Sequence, residues 1–595
     1  DFIRRPEHGH NAHKEEGYHP TAIMALRTLI DNYSDTTEAK WAQWWLNNTE
    51  EAQSAANDYR YRGPEGVIFT NYDQAEQNFS SEPLAYFSEG NGPWVARSDG
   101  PAYGQEPMTY ATFRAGNWTW FSQTHWDQGD FDLYSHGAPL LVDGGTYEGG
   151  GGAPTKAYHH QSIAHNTLLI KDPEQNQAWN HFDWTIAYPE WNSGGQNVPY
   201  RETLSSAILD GEEKDTSVPY SSVGYLHDQA DVLRKTNNDR YTYAYADITN
   251  AYANTRWEED YSSSRLNQVN YRPKVDNVTR QWIYLRPRTG NDQEYIVTFD
   301  RVDSTNASFQ KKNLLHTIGE PILDGSIINT EVVNHIETHQ ANTFSMEYDG
   351  AVLHGNIVLP ANAEVRKVGG YNYEYWVNGQ NYFPFASNPD DFHNHLEEAG
   401  VWRMEIMPPV DQTNDLFLNV LHPDWSGTDA PTVTGISSAL HEGTSFDGWV
   451  LMFSDQESVR SQASYTVEMT GEQQHLIFDM QQNFDYSIYR NNQLITSVSS
   501  GSEGIVEFVA TAGGDFDVLQ GDSIPDDDPP DDDPPDNTPP TGSININSGD
   551  TNTNSVNVVL DLLASDQSGV SQMQFSNDNS IWSNAENYDT TKNWV

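Results

Sequence analysis

The chain has no cysteine among its 595 residues. That excludes a disulfide framework, a thiolate metal site and a cysteine nucleophile. Basic residues are scarce: 32 Lys and Arg stand against 86 Asp and Glu, a formal charge of −54. A surface of that sign repels phosphates, so neither nucleic acid nor an anionic membrane is an expected partner. A polyanionic ligand would need Arg, Lys and His gathered locally at its site. Acidity of this degree suits a saline extracellular medium, where self-repulsion is screened over about 10 Å or less. Long hydrophobic runs are missing too, and none approaches the ~20 residues that span a bilayer. No signal peptide is visible, and the chain opens at Asp1 without a Met. The expectation is a secreted or periplasmic protein with an N-terminal portion upstream of this sequence.

Aromatics are plentiful. They make up 12% of the chain, with 18 Trp and 32 Tyr, and offset a low hydrophobic fraction of 36%. Each buried ring removes roughly 150–250 Å² from water, so a core remains affordable. Short apolar runs alternate with polar residues, as in Ala111-Thr112-Phe113-Arg114-Ala115 and Thr242-Tyr243-Ala244-Tyr245-Ala246-Asp247, and are separated by Gly, Asn, Asp, Ser and Thr. The pattern predicts a mainly β fold, with a large antiparallel β-sandwich over residues 61–450 and a small β-module over 451–521. Helical spacing is confined to the N-terminal end. Ile23, Leu26, Leu29 and Ile30 precede Trp41, Trp44, Trp45 and Leu46, with a break at Asn32-Tyr33-Ser34-Asp35 where Ser34 or Asp35 can cap the second helix. Residues 522–540 hold the Asp526-Asp527-Asp528-Pro529-Pro530 type of repeat, an extended, self-repelling linker. Residues 541–595 read as a partial Ig-like β-domain, with strands at Val556–Leu560 and Met573–Ser576, shorter than the ~100 residues of a full one.

Chemistry concentrates between Phe121 and Ile170. His125, Asp143 and His165 lie on separate strand-like runs, and gaps of that size suit neighbouring strands joined by loops, not one helix. Two imidazoles and a carboxylate suit a divalent cation, zinc above all. By chemistry alone this stands level with the plainer alternative of hydrogen-bonded side chains.

The surrounding motifs resemble the central β-domain of the heparinase II/III-like polysaccharide lyases. They read His125-Trp126-Asp127-Gln128-Gly129-Asp130-Phe131, then Leu140-Leu141-Val142-Asp143-Gly144-Gly145-Thr146-Tyr147, then Ile163-Ala164-His165-Asn166-Thr167-Leu168. Flanking strands Pro83–Phe87, Trp94–Ser98 and Tyr295–Val302 are similar as well. The resemblance implies a zinc held by His125, Asp143 and His165, organising the site from behind. It also implies that residues 1–60 are the last hairpin of an α/α toroid, most of which would lie upstream. Tyr158 stands where the family places a functional tyrosine, an acid/base candidate, whereas Tyr147 reads as structural. Gln123 replaces a histidine that helps bind the substrate carboxylate. An amide there donates a hydrogen bond but carries no proton. Arg97 is a candidate partner for an acidic sugar group, set against a strand-edge ion pair.

His8, His10, His13 and His19, with Tyr18, crowd the N-terminus and are weaker candidates for the toroid side of a cleft. The pair His393 and His395 has no partner motif and is discounted as a metal site. The resemblance implies β-elimination on a uronate polymer, with an anionic polysaccharide as partner. A glycoside hydrolase, needing two carboxylates about 5–10 Å apart, and a noncatalytic carbohydrate-binding protein are the competing readings.

Overall fold

The structure, a computed structural model, describes residues 37–48, 83–88, 94–98, 109–116, 125–144, 153–175, 177–181, 184–188, 192–196, 229–253, 273–287, 293–383, 399–521 and, in shorter pieces, 541–594, with isolated positions near the N-terminus. It divides into two units, residues 1–523 and 524–595.

Four sheets stack face to face in the first unit. The outermost has five short antiparallel strands in sequence order: Ala85–Phe87, Trp94–Arg97, Tyr110–Phe113, Phe131–Ser135 and Ala138–Leu141. Trp94, Phe113, Phe131, Leu133 and Leu140 point inward onto the second, a twelve-stranded sheet, where they meet Trp282, Tyr284, Ile296 and Phe417. This is the two-sheet sandwich expected from the alternating pattern. The large sheet runs from an edge at Leu168–Lys171 through Gln310–Thr317 and Trp402–Met407 to a centre at Asn414–Trp425, Tyr295–Ser304 and Val275–Leu285, ending at Tyr241–Asp247 and Asp231–Asn237. Strand pleating sends alternate residues to opposite faces. Ala244 and Ala246 therefore face the first sheet, while Tyr241, Tyr243 and Tyr245 face away from it.

That second face is covered by the C-terminal module. Phe446, Trp449, Leu451, Phe453 and Phe478 pack against Tyr243, Val297, Phe299 and Leu418. The neighbouring residues Val450 and Met452 belong to another core, shared with Tyr465, Tyr486, Ile488 and Phe516 of a four-stranded sheet. Every residue of Trp449–Ser454 is buried, as expected of a strand covered on both faces. The boundary expected between residues 450 and 451 thus falls inside a strand, and the third sheet begins at Thr434. No linker marks the change, because one strand serves two cores.

The turns follow local chemistry. Asp349-Gly350, Asn378-Gly379 and Asp447-Gly448 each have positive φ at both positions, the geometry that two-residue hairpins favour. One helix of the expected N-terminal pair is described, Thr37–Asn48, and Thr36 caps it, its Oγ1 accepting the Ala39 N–H at 3.2 Å. The other lies outside the described residues except for Ile30.

In the second unit, Thr541–Ile546, Val558–Ser565 and Thr591–Trp594 form a three-stranded antiparallel sheet, and Gln572–Met573 pairs with Glu586–Asn587. The acidic linker at 522–540 lies outside the described residues. Among the described residues no helix is long and apolar enough to cross a membrane.

Candidate metal centre

The edge of the large sheet meets the last hairpin of the five-stranded sheet, and there three loops converge. The strand Phe131–Ser135 is entered through a turn at Gln128-Gly129 that carries Asp130, and Ala138–Leu141 leads out to Asp143. His165 follows the single turn Ser162–Ala164 and precedes the edge strand Leu168–Lys171. Gly129 has φ +83, and a β-carbon there would come within 3.0 Å of Ile248 and 3.3 Å of Thr167. Gly144 is required too, since its β-carbon would meet the His316 ring at 2.6 Å.

His165 is the hub. Its Nδ1–H donates to Asp143 Oδ1 at 2.8 Å, and its Nε2 lies 3.2 Å from His125 Nδ1. Asp130, Asp143 and His165 are all buried, and each offers a ligand atom within 4.8 Å of the others, so this group can hold a metal ion. Burial opposes charge on His165, but Asp143, Asp127 and Asp130 outweigh it and push its pKa up to about 9. The pocket thus concentrates negative charge, and a divalent cation would supply the compensation otherwise given by the imidazolium proton. The donor set of imidazole and carboxylate suits zinc chemically, and the 3.2 Å separation of the two ring nitrogens is close to the roughly 3.3 Å edge implied by tetrahedral bonds of about 2.0–2.1 Å.

A buried guanidinium fixes two of the loops. Arg280 and Asp300 are cross-strand neighbours in the large sheet, joined by Nε–Oδ1 and Nη2–Oδ2 contacts of 2.6 and 2.9 Å. The remaining Arg280 Nη1 donates to the carbonyls of Gly129 and Asn166, beside Asp130 and His165. Asn166 completes the lattice: its N–H donates to Asp130 Oδ1 at 2.6 Å, and its Oδ1 accepts the His316 N–H at 2.6 Å. On the other side Gln196 receives the Gln128 N–H and donates to the Gln128 carbonyl.

Behind this cluster lies an ion network. Tyr158, with 0% exposure, accepts a hydrogen bond from Arg403 Nη1 at 2.9 Å. Arg403, Arg366 and Lys312 all pair with Glu405; burial alone would raise that carboxyl, yet the three cations hold it well below its usual range. Burial raises the Tyr158 pKa despite Arg403, so the phenol keeps its proton at neutral pH. His316 is pushed down to about 3, by burial first and then by Arg403 and His165, and stays neutral.

Of the residues singled out in the sequence, the fold brings His125, Asp143 and His165 together. Tyr158, the acid/base candidate, lies near them and is buried among the described residues. Arg97 sits elsewhere, opposite Tyr110, which is itself opposite Tyr134 near the closed end of the hairpin, whereas Asp130 and Asp143 mark its open end. Gln123, Tyr147, the N-terminal histidines, His393 and His395 lie outside the described residues. Sequence reasoning assigned no role to Asp130, Asn166, Arg280, His316 or Arg403. Asp130 and Asn166 stood within the quoted motifs and were readable there, but the other three come from distant strands without a local signal.

Residues 95–232 match the family model described as heparinase II/III-like, C-terminal. Over that segment the chain is similar to the C-terminal domain of heparinase II/III-like proteins. The segment contains every metal-group residue, while Arg280, His316 and Arg403 lie beyond it. Solved structures similar to the chain include a heparinase III with methylated lysines (10% identity, TM-score 0.40, covering 82% of this chain and 47% of that one). Another is the heparan sulfate lyase HepC from Pedobacter heparinus (12%, TM-score 0.38, 69% and 48%). A third is a heparinase III (12%, TM-score 0.36, 64% and 43%). The chain spans about half the length of these structures. No curated protein matches it.

Proposed function

We propose that the chain is a secreted polysaccharide lyase acting by β-elimination on a uronate-containing polymer, with zinc at the His125, Asp130, Asp143 and His165 cluster. The observation that carries this reading is the buried convergence of Asp130, Asp143 and His165, with His125 Nδ1 3.2 Å from His165 Nε2, inside the segment that matches the heparinase II/III-like model. β-Elimination requires neutralisation of the uronate carboxylate, a base for the C5 proton and an acid for the leaving oxygen. A bound divalent cation supplies positive charge and fixes the ligand loops. Asp143 orients His165, and Arg280 with Asn166 holds the backbone on which Asp130 and His165 stand. Tyr158 is a positioning residue in this reading: protonated and enclosed, it anchors Arg403 beside the cluster. Gln123 and Arg97 remain the candidates for binding the acidic sugar. An algal polymer such as ulvan or alginate fits the acidic composition, and the relatives' names add heparan sulfate to the substrates to be tried.

The test is the ultraviolet absorbance of the unsaturated uronate product on ulvan, alginate, heparan sulfate and chondroitin sulfate. Absorbance should rise with one polymer and fall at least tenfold in His165→Ala. Tyr158→Phe should lower turnover by less than the roughly 10²–10⁴-fold expected for loss of an acid or base. Reducing ends without absorbance would identify a hydrolase, and glycan binding without either product a noncatalytic protein.

A further inference from the structure

We propose that Lys171 and Lys312, on one face of the large sheet at its edge, form a subsite for the carboxylate or sulfate groups of an anionic polysaccharide. Lys171 ends the edge strand Leu168–Lys171, and Lys312 stands on the next strand, opposite Leu169 and so diagonal to Lys171. Strand pleating sends both to the face whose Leu169 and Leu314 pack with Tyr158, whereas Leu168, Ile170 and Leu315 go to the core shared with the first sheet. Glu405 is opposite Leu314 and Arg366 is opposite Glu405, so these two belong to the same face as the lysines.

The charges there do not balance. Lys312, Arg366 and Arg403 all pair with Glu405, and Arg366 also takes Glu331. Lys171 has no carboxylate within ion-pair distance among the described residues, and its Nζ meets the Asn378 Oδ1 at 3.3 Å. Four cations thus share two carboxylates, in a chain where 86 acidic residues outnumber 32 basic ones. Glu364 and Glu331 stand three or more strands from Lys171, which at ~4.8 Å per strand is past the screening length of about 8 Å. Burial and the neighbouring Lys312 both lower the Lys171 pKa, and Glu405 alone opposes them. The half-buried ammonium is held against a repulsion that a bound anion relieves. Lysines meet carboxylate and sulfate oxygens as mobile point charges, in charge-assisted bonds of the stronger kind. His165 lies six residues before Lys171, at most about 21 Å of extended chain, so one polymer can span this subsite and the candidate metal centre. The subsite rests on the lyase reading only for the class of polymer.

Affinity electrophoresis of the whole chain through gels holding alginate, ulvan, heparan sulfate or chondroitin sulfate, with neutral dextran as control, tests this. At least one anionic polymer should retard the chain, less so as salt rises, and dextran should not. Alginate against the three sulfated polymers separates carboxylate from sulfate. Lys171→Gln should weaken the binding at least about fivefold and Lys171→Glu further, whereas Lys171→Arg should keep it within about twofold. Lys367→Gln, next to Arg366 in its strand and therefore on the opposite face, should leave it unchanged. Lys171→Gln breaks no ion pair and should hold the native thermal midpoint; a fall would mark a structural group and overturn the proposal. Retardation unmoved in Lys171→Gln and Lys171→Glu, an equal loss in Lys367→Gln, or no retardation by any of the four polymers would overturn it too. Binding that depends on Lys171 without unsaturated product would sink the lyase reading and leave this site standing, and product formed with binding indifferent to Lys171 would do the reverse.

Discussion

Replacing Arg280 with Met tests how the metal loops are held. The substitution leaves the Asp300 carboxylate buried without its guanidinium, although the Asn313 amide still donates to Asp300 Oδ2 at 2.6 Å. Breaking a buried pair on one side costs about 3–5 kcal/mol, chiefly because the remaining charge is uncompensated. Adding Asp300→Asn removes that charge, so the double variant should recover most of the lost stability. It does not restore the donor to the carbonyls of Gly129 and Asn166, so the loops bearing Asp130 and His165 stay loosened. Outer partners of metal ligands typically carry 10–100-fold in affinity, or about 1.4–2.7 kcal/mol. Urea unfolding of the three proteins, with zinc titrated against a chromogenic chelator, reads both effects. Zinc affinity in the double variant equal to that of the native chain would refute the clamp, and a single-variant loss under about 1 kcal/mol would refute the buried-charge account.

Zinc at a hundred times its Kd should stabilise the chain by about 2.7 kcal/mol; a thermal midpoint unmoved by a chelator, or a zinc increment that survives His165→Ala, would sink the site. In acid, His159, His316 and His475, each lowered to about 3 chiefly by burial, take up protons near 6.5 once unfolded. The unfolded chain then binds more protons, so stability should fall as pH drops from about 6.5 towards 3, by up to about 1.4 kcal/mol per unit for each histidine, and a flat urea midpoint across that range would contradict it. His165 acts with the opposite sign in the metal-free protein: its contribution is full below about 6.5 and is lost as pH rises through about 9. Trp449→Ala should cost about 3–5 kcal/mol by emptying the core between the second and third sheets, and a loss below about 1 kcal/mol would show that this contact is loose.

Much of this molecule could be read locally. Alternation at Tyr241–Asp247, the Asp-Gly hairpin turns and the three motifs around His125, Asp143 and His165 each depend on residues close in sequence. Arg280, His316 and Arg403 escaped that reading because they act across 114, 150 and 245 residues of chain respectively, on Asn166, Asn166 and Tyr158. Nothing beside them in sequence distinguishes a clamp from an ordinary strand residue. The enclosure of Tyr158 was illegible for a similar reason, since Tyr375 and Arg403, which pack against it, arrive from a later turn and a later strand. The module boundary was missed where Trp449–Ser454 gives alternate side chains to two cores, which looks in sequence like one continuous apolar strand.

That shared strand bears on how the protein can be dissected. Tyr241, Tyr243, Tyr245, Val297 and Phe299 would become solvent-facing in any expression fragment that stops before Thr434. Five such side chains in register on one sheet make an adhesive surface, and such fragments should precipitate or self-associate. A soluble truncation has to keep residues through Gly521, so the half with the candidate metal group and the sandwich behind it are inherited as one piece.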